Sequence, residues 1–274
     1  MKLAFDVQGR GPNPLLLLHG FTGSRDSFVH LEPALVDAFT LIRVDLPGHG
    51  ASADEAGTFL EVVDALAGVL DEAGVPDADV YGYSQGARVA LTFAVQHPTR
   101  VRRLVLESGT PGLRHRRERL ARRASDHALA DRILRDGVEA FVTEWEQLPL
   151  FEGLRRLPPA QQAALRARRT AHTAEGLARA LRTLGLGEQP DLWPRLWNLR
   201  RPVLLLTGAL DLKFTELARR MAAELPTVWG HAFAGVGHAP HLECPGAWLA
   251  EVTGFLQTPW FEFPAVSGQP GSDA

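Results

Sequence analysis

The chain has 274 residues, 45% of them hydrophobic and 22% charged, with a formal net charge of −3. That length and balance suit one sizeable globular domain with a large core and exclude a disordered or fibrous chain. The single cysteine, Cys244, excludes an internal disulfide framework and a cysteine-based zinc cluster and suits a reducing compartment. The opening MKLAFDVQGRGPNP reaches charge and proline too early for the apolar core of a signal peptide. No run approaches the roughly 20 apolar residues that span a bilayer, so the expectation is a cytoplasmic protein.

In chain order, seven short runs have the composition of β-strands: KLAFDV (2–7), PLLLLHG (14–20), FTLIRVDLPG (39–48), DADVYGYS (77–84), RRLVLESG (102–109), RPVLLLTG (201–208) and TVWGHAFAG (227–235). Most are too continuously apolar for a sheet with one wet face. Helical periodicity appears between them at 58–74, 85–97, 213–224 and 245–257. Buried strands alternating with amphipathic helices predict an α/β fold, a mostly parallel sheet covered on both sides.

From about 110 to 199 the strand signal stops, and helical patterns follow at 115–135, 137–146, 159–171, 174–184 and 191–198. The expected organisation is therefore a core of residues 1–109 and 200–258 with a helical insertion, 110–199, standing over one end of the sheet as a lid. Ligands of open α/β sheets bind at the carboxyl ends of the strands, where such an insertion would lie. The tail 259–274, rich in Pro, Gly and Ser, is expected to fray. Charge is uneven too: residues 111–200 hold 17 arginines, no lysine and 11 acidic residues, a surplus of six positive charges, against a deficit of nine elsewhere. Arginine without lysine or interleaved aromatics fits carboxylate or phosphate recognition at least as well as nucleic acid binding. The alternative is a compositional bias on solvated helix faces.

Gly82-Tyr83-Ser84-Gln85-Gly86 stands between a strand and a helix with the spacing of a nucleophile elbow, a turn so tight that side chains at either glycine would collide. His19-Gly20-Phe21-Thr22-Gly23 follows a buried strand, where the Phe21 amide could join the Gln85 amide in an oxyanion hole. Asp211 follows the sixth run and His238 the seventh. Serine, acid and histidine thus occur in the chain order of an α/β-hydrolase triad, with His238 taking the Ser84 proton and Asp211 fixing the imidazole. Each has a plainer alternative: Ser84 or Asp211 as a helix N-cap, and His241 as a rival to His238. Asp45-Leu46-Pro47-Gly48-His49-Gly50 has the composition of a structural turn.

Taken together, HGFTGS, DLPGHGAS, GYSQGAR, ESGTPGL, RLARRASD, WEQLPLF, GEQPDLW, GALDLKF and VGHAPHLECP resemble the 2-succinyl-6-hydroxy-2,4-cyclohexadiene-1-carboxylate synthases of menaquinone biosynthesis, over about residues 14–257. The resemblance implies an α/β-hydrolase fold used as a lyase, which eliminates pyruvate from a tricarboxylate with the serine as base and no acyl-enzyme. It implies substrate-binding roles for Arg88, Arg122 and Arg169, with Arg168 a near rival of the last, and pocket-lining roles for Tyr83, Trp145 and Phe151. It implies a small polycarboxylate substrate, no cofactor, no metal, and no nucleic acid or membrane partner. Two positions depart from the pattern: Ala87 stands where a second glycine is usual, and Gln85 where an apolar residue is usual. Three other classes remain to be separated from this one: a hydrolase of esters or carbon–carbon bonds, a binding module on a degraded fold, and a nucleic acid binder.

Overall fold

The computed structural model describes residues 1–259, so the expectation for the tail beyond Pro259 lies outside the described residues. All seven apolar runs form strands: β1 (Phe5–Gln8), β2 (Asn13–Leu18), β3 (Phe39–Val44), β4 (Ala78–Tyr83), β5 (Val101–Glu107), β6 (Val203–Gly208) and β7 (Val228–Phe233). They make one sheet in the order β1-β3-β2-β4-β5-β6-β7, parallel except for β1, which runs antiparallel to β3. The helices are α1 (Glu32–Leu35), α2 (Phe59–Glu72), α3 (Gln85–Gln96), α4 (Arg116–Asp136), α5 (Val138–Trp145), α6 (Pro159–Thr170), α7 (Ala174–Leu184), α8 (Leu212–Ala222), α9 (Pro240–Glu243) and α10 (Pro245–Gln257).

Strand β2 shows why the apolar runs are continuous. Leu16 and Leu18 point to one face of the sheet, among Val62, Val89 and Met221 of α2, α3 and α8; Leu15 and Leu17 point to the other, among Trp248 and Val252 of α10. Both faces are dry, and each of these buried leucines contributes on the order of 1.5–3 kcal/mol.

Between β5 and β6 every regular element is a helix, and this segment has its own small core of Ala130, Ile133, Phe141, Val142, Leu177 and Leu181 from α4, α5 and α7. Its two ends are clipped together. The Leu192 amide donates to the Pro111 carbonyl (2.8 Å), and the Trp193 indole donates to the Gly112 carbonyl (3.1 Å). Gly112 sits at φ +98°, where a Cβ would also meet the Pro190 carbonyl at 2.5 Å, so glycine is needed there. The helix expected over 191–198 is a 3-10 helix at Trp193–Asn198, ended after six residues where Leu199 turns extended (φ −79°, ψ 93°).

Candidate active site

Strand β4 ends at Tyr83, and Ser84 turns the chain into α3 with φ 51° and ψ −103°, a conformation that costs a non-glycine residue on the order of 1–3 kcal/mol. The turn is held from both sides. A Cβ on Gly82 would lie 2.4 Å from the Gly86 carbonyl oxygen, and one on Gly86 would lie 2.2 Å from that of Leu18. Ala87 is accommodated because Gly109 opposite it is a glycine, whose own Cβ would meet the Ala87 methyl at 2.8 Å.

The hydroxyl so presented meets His238. His238 Nε2 lies 3.1 Å from Ser84 Oγ, and Nδ1 lies 2.6 Å from Asp211 Oδ2. Bonded on one side to a carboxylate, the ring carries its proton on Nδ1 and turns a lone pair toward the serine. Asp211 also caps α8, its Oδ1 accepting the Phe214 amide at 3.3 Å, so capping and orienting coexist in one side chain. The loop carrying His238 is framed by Glu243, which accepts the Gly237 and Ala239 amides (2.8 and 3.2 Å), and by Ser108, whose hydroxyl donates to the His238 carbonyl (2.9 Å). His241, the rival in sequence, turns away from the serine and bonds Glu107 at 2.6 Å.

Gln85 is the first residue of α3, so its amide has no partner within the helix. Phe21 sits in a turn closed by the Gly23 amide on the Gly20 carbonyl (2.9 Å), with Thr22 at φ 66°. Three histidines fix this turn. His19 accepts the Leu46 amide on Nε2 (3.0 Å) and donates from Nδ1 to the Gly20 carbonyl (2.8 Å). His49 accepts the Thr22 amide (3.2 Å) and donates to the Pro47 carbonyl (3.1 Å), and His172, just beyond α6, donates to the Thr22 carbonyl (3.1 Å). Burial keeps all three neutral: His19 is pushed down to about 4, His49 well below the ordinary value with His19 beside it, and His172 downward as well.

These elements surround a cavity of about 230 Å³ lined by Phe21, Tyr83, Ser84, Gln85, Arg88, Arg122, Trp145, Phe151, Arg169 and His238 among others; Asp211 stands behind His238. The apolar part is aromatic. Phe214 lies 4.7 Å from the His238 ring, Trp145 lies 5.3 Å from Phe151 and 5.5 Å from Phe21, and the Arg169 guanidinium lies 5.2 Å over Phe151.

The charged part is mostly cationic: Arg88, Arg122, Arg168, Arg169 and Lys213 face a single carboxylate, that of Asp126. Arg122 bonds Asp126 at 2.8 Å and Arg169 bonds Glu146 at 3.0 Å, but half-buried Arg88 has, among the described residues, only the Leu184 carbonyl as acceptor (2.8 Å). Burial, with Arg122 adding to it, pushes Arg88 down to about 9. Three buried polar atoms of cavity-lining residues have no hydrogen-bond partner among the described residues: Gln85 Oε1, Asp126 Oδ2 and Trp145 Nε1. Lys213, Phe214 and Asp126 also line the cavity although the sequence assigned them no site role, and Arg168 lines it beside Arg169; Lys213 and Phe214 stand two and three residues beyond Asp211, which was the available signal.

Among the described residues, no group of three or more His, Cys, Asp or Glu side chains could hold a metal ion, and no helix is long and apolar enough to cross a membrane. A strained serine between two obligatory glycines, a histidine and an acid beyond later strands, and a parallel sheet beneath them place the molecule in the α/β-hydrolase class, and the alpha/beta hydrolase fold family matches over residues 13–245. A Klebsiella pneumoniae (strain 342) 2-succinyl-6-hydroxy-2,4-cyclohexadiene-1-carboxylate synthase is 36% identical over 251 residues, 91% of this chain and 96% of its own. A Bacillus subtilis (strain 168) protein, provisionally assigned the same activity, is 39% identical over 260 residues, 92% of this chain and 94% of its own. The structure of MenH from S. aureus superposes with a TM-score of 0.87 at 33% identity, covering 92% of this chain and 97% of that one. The chain belongs to the 2-succinyl-6-hydroxy-2,4-cyclohexadiene-1-carboxylate synthase family.

Proposed function

We propose that the protein eliminates pyruvate from 2-succinyl-5-enolpyruvyl-6-hydroxy-3-cyclohexene-1-carboxylate to give 2-succinyl-6-hydroxy-2,4-cyclohexadiene-1-carboxylate. The observation that carries this reading is a Ser–His–Asp relay opening into a cavity with five cations and one carboxylate. A substrate with three carboxylates suits such a lining, whereas a neutral ester would leave the desolvated Arg88 guanidinium without a carboxylate partner.

The ring proton at carbon 2 is acidified by the succinyl ketone. Ser84 Oγ, relieved of its own proton by His238 Nε2, removes it, and Asp211 balances the imidazolium that forms. The ketone oxygen gains negative charge, which the Phe21 and Gln85 amides would stabilise. The electron pair moves into the ring, making the 2,3 and 4,5 double bonds from the 3,4 one, and the bond from carbon 5 to the enolpyruvyl oxygen breaks. The departing enolate takes up a proton on carbon and becomes pyruvate. No water is consumed and no acyl-enzyme forms.

Arg88, Arg122 and Arg169 would hold the carboxylates, while Tyr83, Trp145 and Phe151 shape the apolar wall. The partnerless Trp145 N–H is available to the substrate as a donor. Residues 110–199 act as a lid over the core formed by 1–109 and 200–258, keeping the carbanion dry. On this reading the protein works in the cytoplasm on a small polycarboxylate, without metal, organic cofactor or nucleic acid. Supplying the enolpyruvyl substrate and coupling released pyruvate to lactate dehydrogenase tests it: wild-type protein should release pyruvate and Ser84→Ala should not.

A further inference from the structure

Lys213 is the second residue of α8; it is exposed and also lines the active-site cavity, so its side chain stands at the mouth. Its presence runs against two tendencies of the chain. Of the 29 lysines and arginines only Lys2 and Lys213 are lysines, so a compositional bias that could account for the arginines of the lid does not account for this residue. The first turn of a helix is also the wrong end for a cation, because the macrodipole is positive there, and α8 has no acidic residue in that turn to offset it.

No neighbouring acid explains the lysine. Glu216, one turn further along α8, is bonded to Arg219 through both oxygens (2.8 and 2.9 Å), and the Asp211 carboxylate is taken by His238 and the Phe214 amide. Among the described residues no carboxylate lies within ion-pairing distance of the Lys213 ammonium. The ammonium lies instead 5.5 Å from the centre of the Phe214 ring, and that ring packs against His238 at 4.7 Å. A cation–π contact thus keeps the charge near the triad.

We propose that Lys213 is a further substrate-binding residue, an ammonium at the mouth of the cavity that receives one carboxylate of the polycarboxylate substrate. It rests on the polycarboxylate reading of the cavity and adds a second side to the grip. Arg122 and Arg169 come from α4 and α6 of the helical insertion, whereas Lys213 comes from α8 of the core, so a carboxylate bound by each side ties insertion and core together through the substrate. A charge that is unfavourable at its place in the helix and unpaired in the resting protein gains its partner when the substrate arrives. The flexible four-carbon stem lets the ammonium leave the Phe214 ring for an incoming carboxylate.

Three variants test it, since an exposed side chain can be changed without unfolding the protein: Lys213→Gln removes the charge, Lys213→Glu reverses it and Lys213→Arg restores it. In pyruvate-release assays at low ionic strength, Lys213→Gln should raise KM about 5- to 20-fold with kcat within about twofold of wild type, as expected for one partly exposed charge-assisted hydrogen bond. Lys213→Glu should raise KM further and Lys213→Arg should recover most of the loss. With one cation gone, KM of Lys213→Gln should also rise less steeply with added salt than that of the wild type. The melting temperature of Lys213→Gln should be unchanged or slightly higher, because α8 loses a cation from its positive end. Wild-type KM in Lys213→Gln at low salt overturns the proposal, as does an equal loss in Lys213→Arg or a fall in melting temperature that accounts for the lost activity. Failure of the wild type itself to release pyruvate overturns the underlying reading instead, so the wild-type assay tells the two failures apart.

Discussion

Arg88 offers the sharpest perturbation, because its environment makes stability and function respond in opposite directions. Half-buried on α3 at the cavity wall, its guanidinium donates to the Leu184 carbonyl at 2.8 Å and has no carboxylate within ion-pairing distance among the described residues. An unpaired buried cation costs folding free energy, so Arg88→Met, which keeps the aliphatic stem and drops the charge, should leave thermal stability unchanged or raise it. On the proposed reading, the same change removes a bidentate, water-shielded bond to a substrate carboxylate. A loss of about 2–4 kcal/mol of transition-state stabilisation corresponds to about 30- to 900-fold in kcat/KM. Arg88→Lys should recover only part of this, since an ammonium cannot reproduce the fork. Steady-state kinetics and a melting curve on the same preparations decide the matter. Wild-type kcat/KM in a folded Arg88→Met protein refutes the reasoning, and so does a large fall in melting temperature that accounts for the lost activity.

Other consequences follow from the geometry. Ser84→Ala, Asp211→Asn and His238→Ala should each lower turnover by about three orders of magnitude or more, and the double variants little further, because the three side chains act as one proton-transfer unit; near-additive losses would contradict this. Gly86→Ala drives a Cβ to 2.2 Å from the Leu18 carbonyl oxygen and should lower stability by about 1–3 kcal/mol, several degrees in melting temperature, together with activity. His19, His49 and His172 are neutral in the folded protein and protonate more readily when unfolded. The unfolded chain therefore binds more protons as pH falls below about 6.5, so stability should drop from there toward about 4, at up to about 1.4 kcal/mol per pH unit for each histidine. A flat stability profile across that window would show that the three rings are not held neutral.

Much of this was legible in the sequence, for identifiable reasons. The central strands announced themselves because β2 to β6 are dry on both faces or close to it, as LLLL in β2 and VLLLTG in β6 show, whereas the edge strands β1 and β7 are partly exposed. The elbow was legible because its glycines recur at the spacing a tight strand-to-helix turn demands, Gly82 pressed against Gly86 and Gly86 against Leu18 at the end of β2. What stayed hidden depends on residues far apart in the chain. Glu107 and His241 are 134 positions apart, and nothing in ESGTPGL marks the glutamate as buried beneath a tyrosine, a tryptophan and a histidine. His172 gave no local sign that it would reach the oxyanion-side turn at Thr22. The choice between Arg168 and Arg169 was falsely posed: both line the cavity, one bonded to Glu146 and the other without a carboxylate partner among the described residues.

The central claim is that this triad removes a ring proton rather than adding water or an acyl group. Mixing wild-type enzyme with the enolpyruvyl substrate and following the conjugated diene and pyruvate together in one cuvette addresses it most directly. Elimination predicts that diene and pyruvate rise with the same time course in a one-to-one ratio, and that Ser84→Ala abolishes both. Pyruvate released without diene, leaving the ring 3,4 double bond in place and an allylic alcohol at carbon 5, would instead mean that the site adds water, and the account of Ser84 as a carbon base would be wrong.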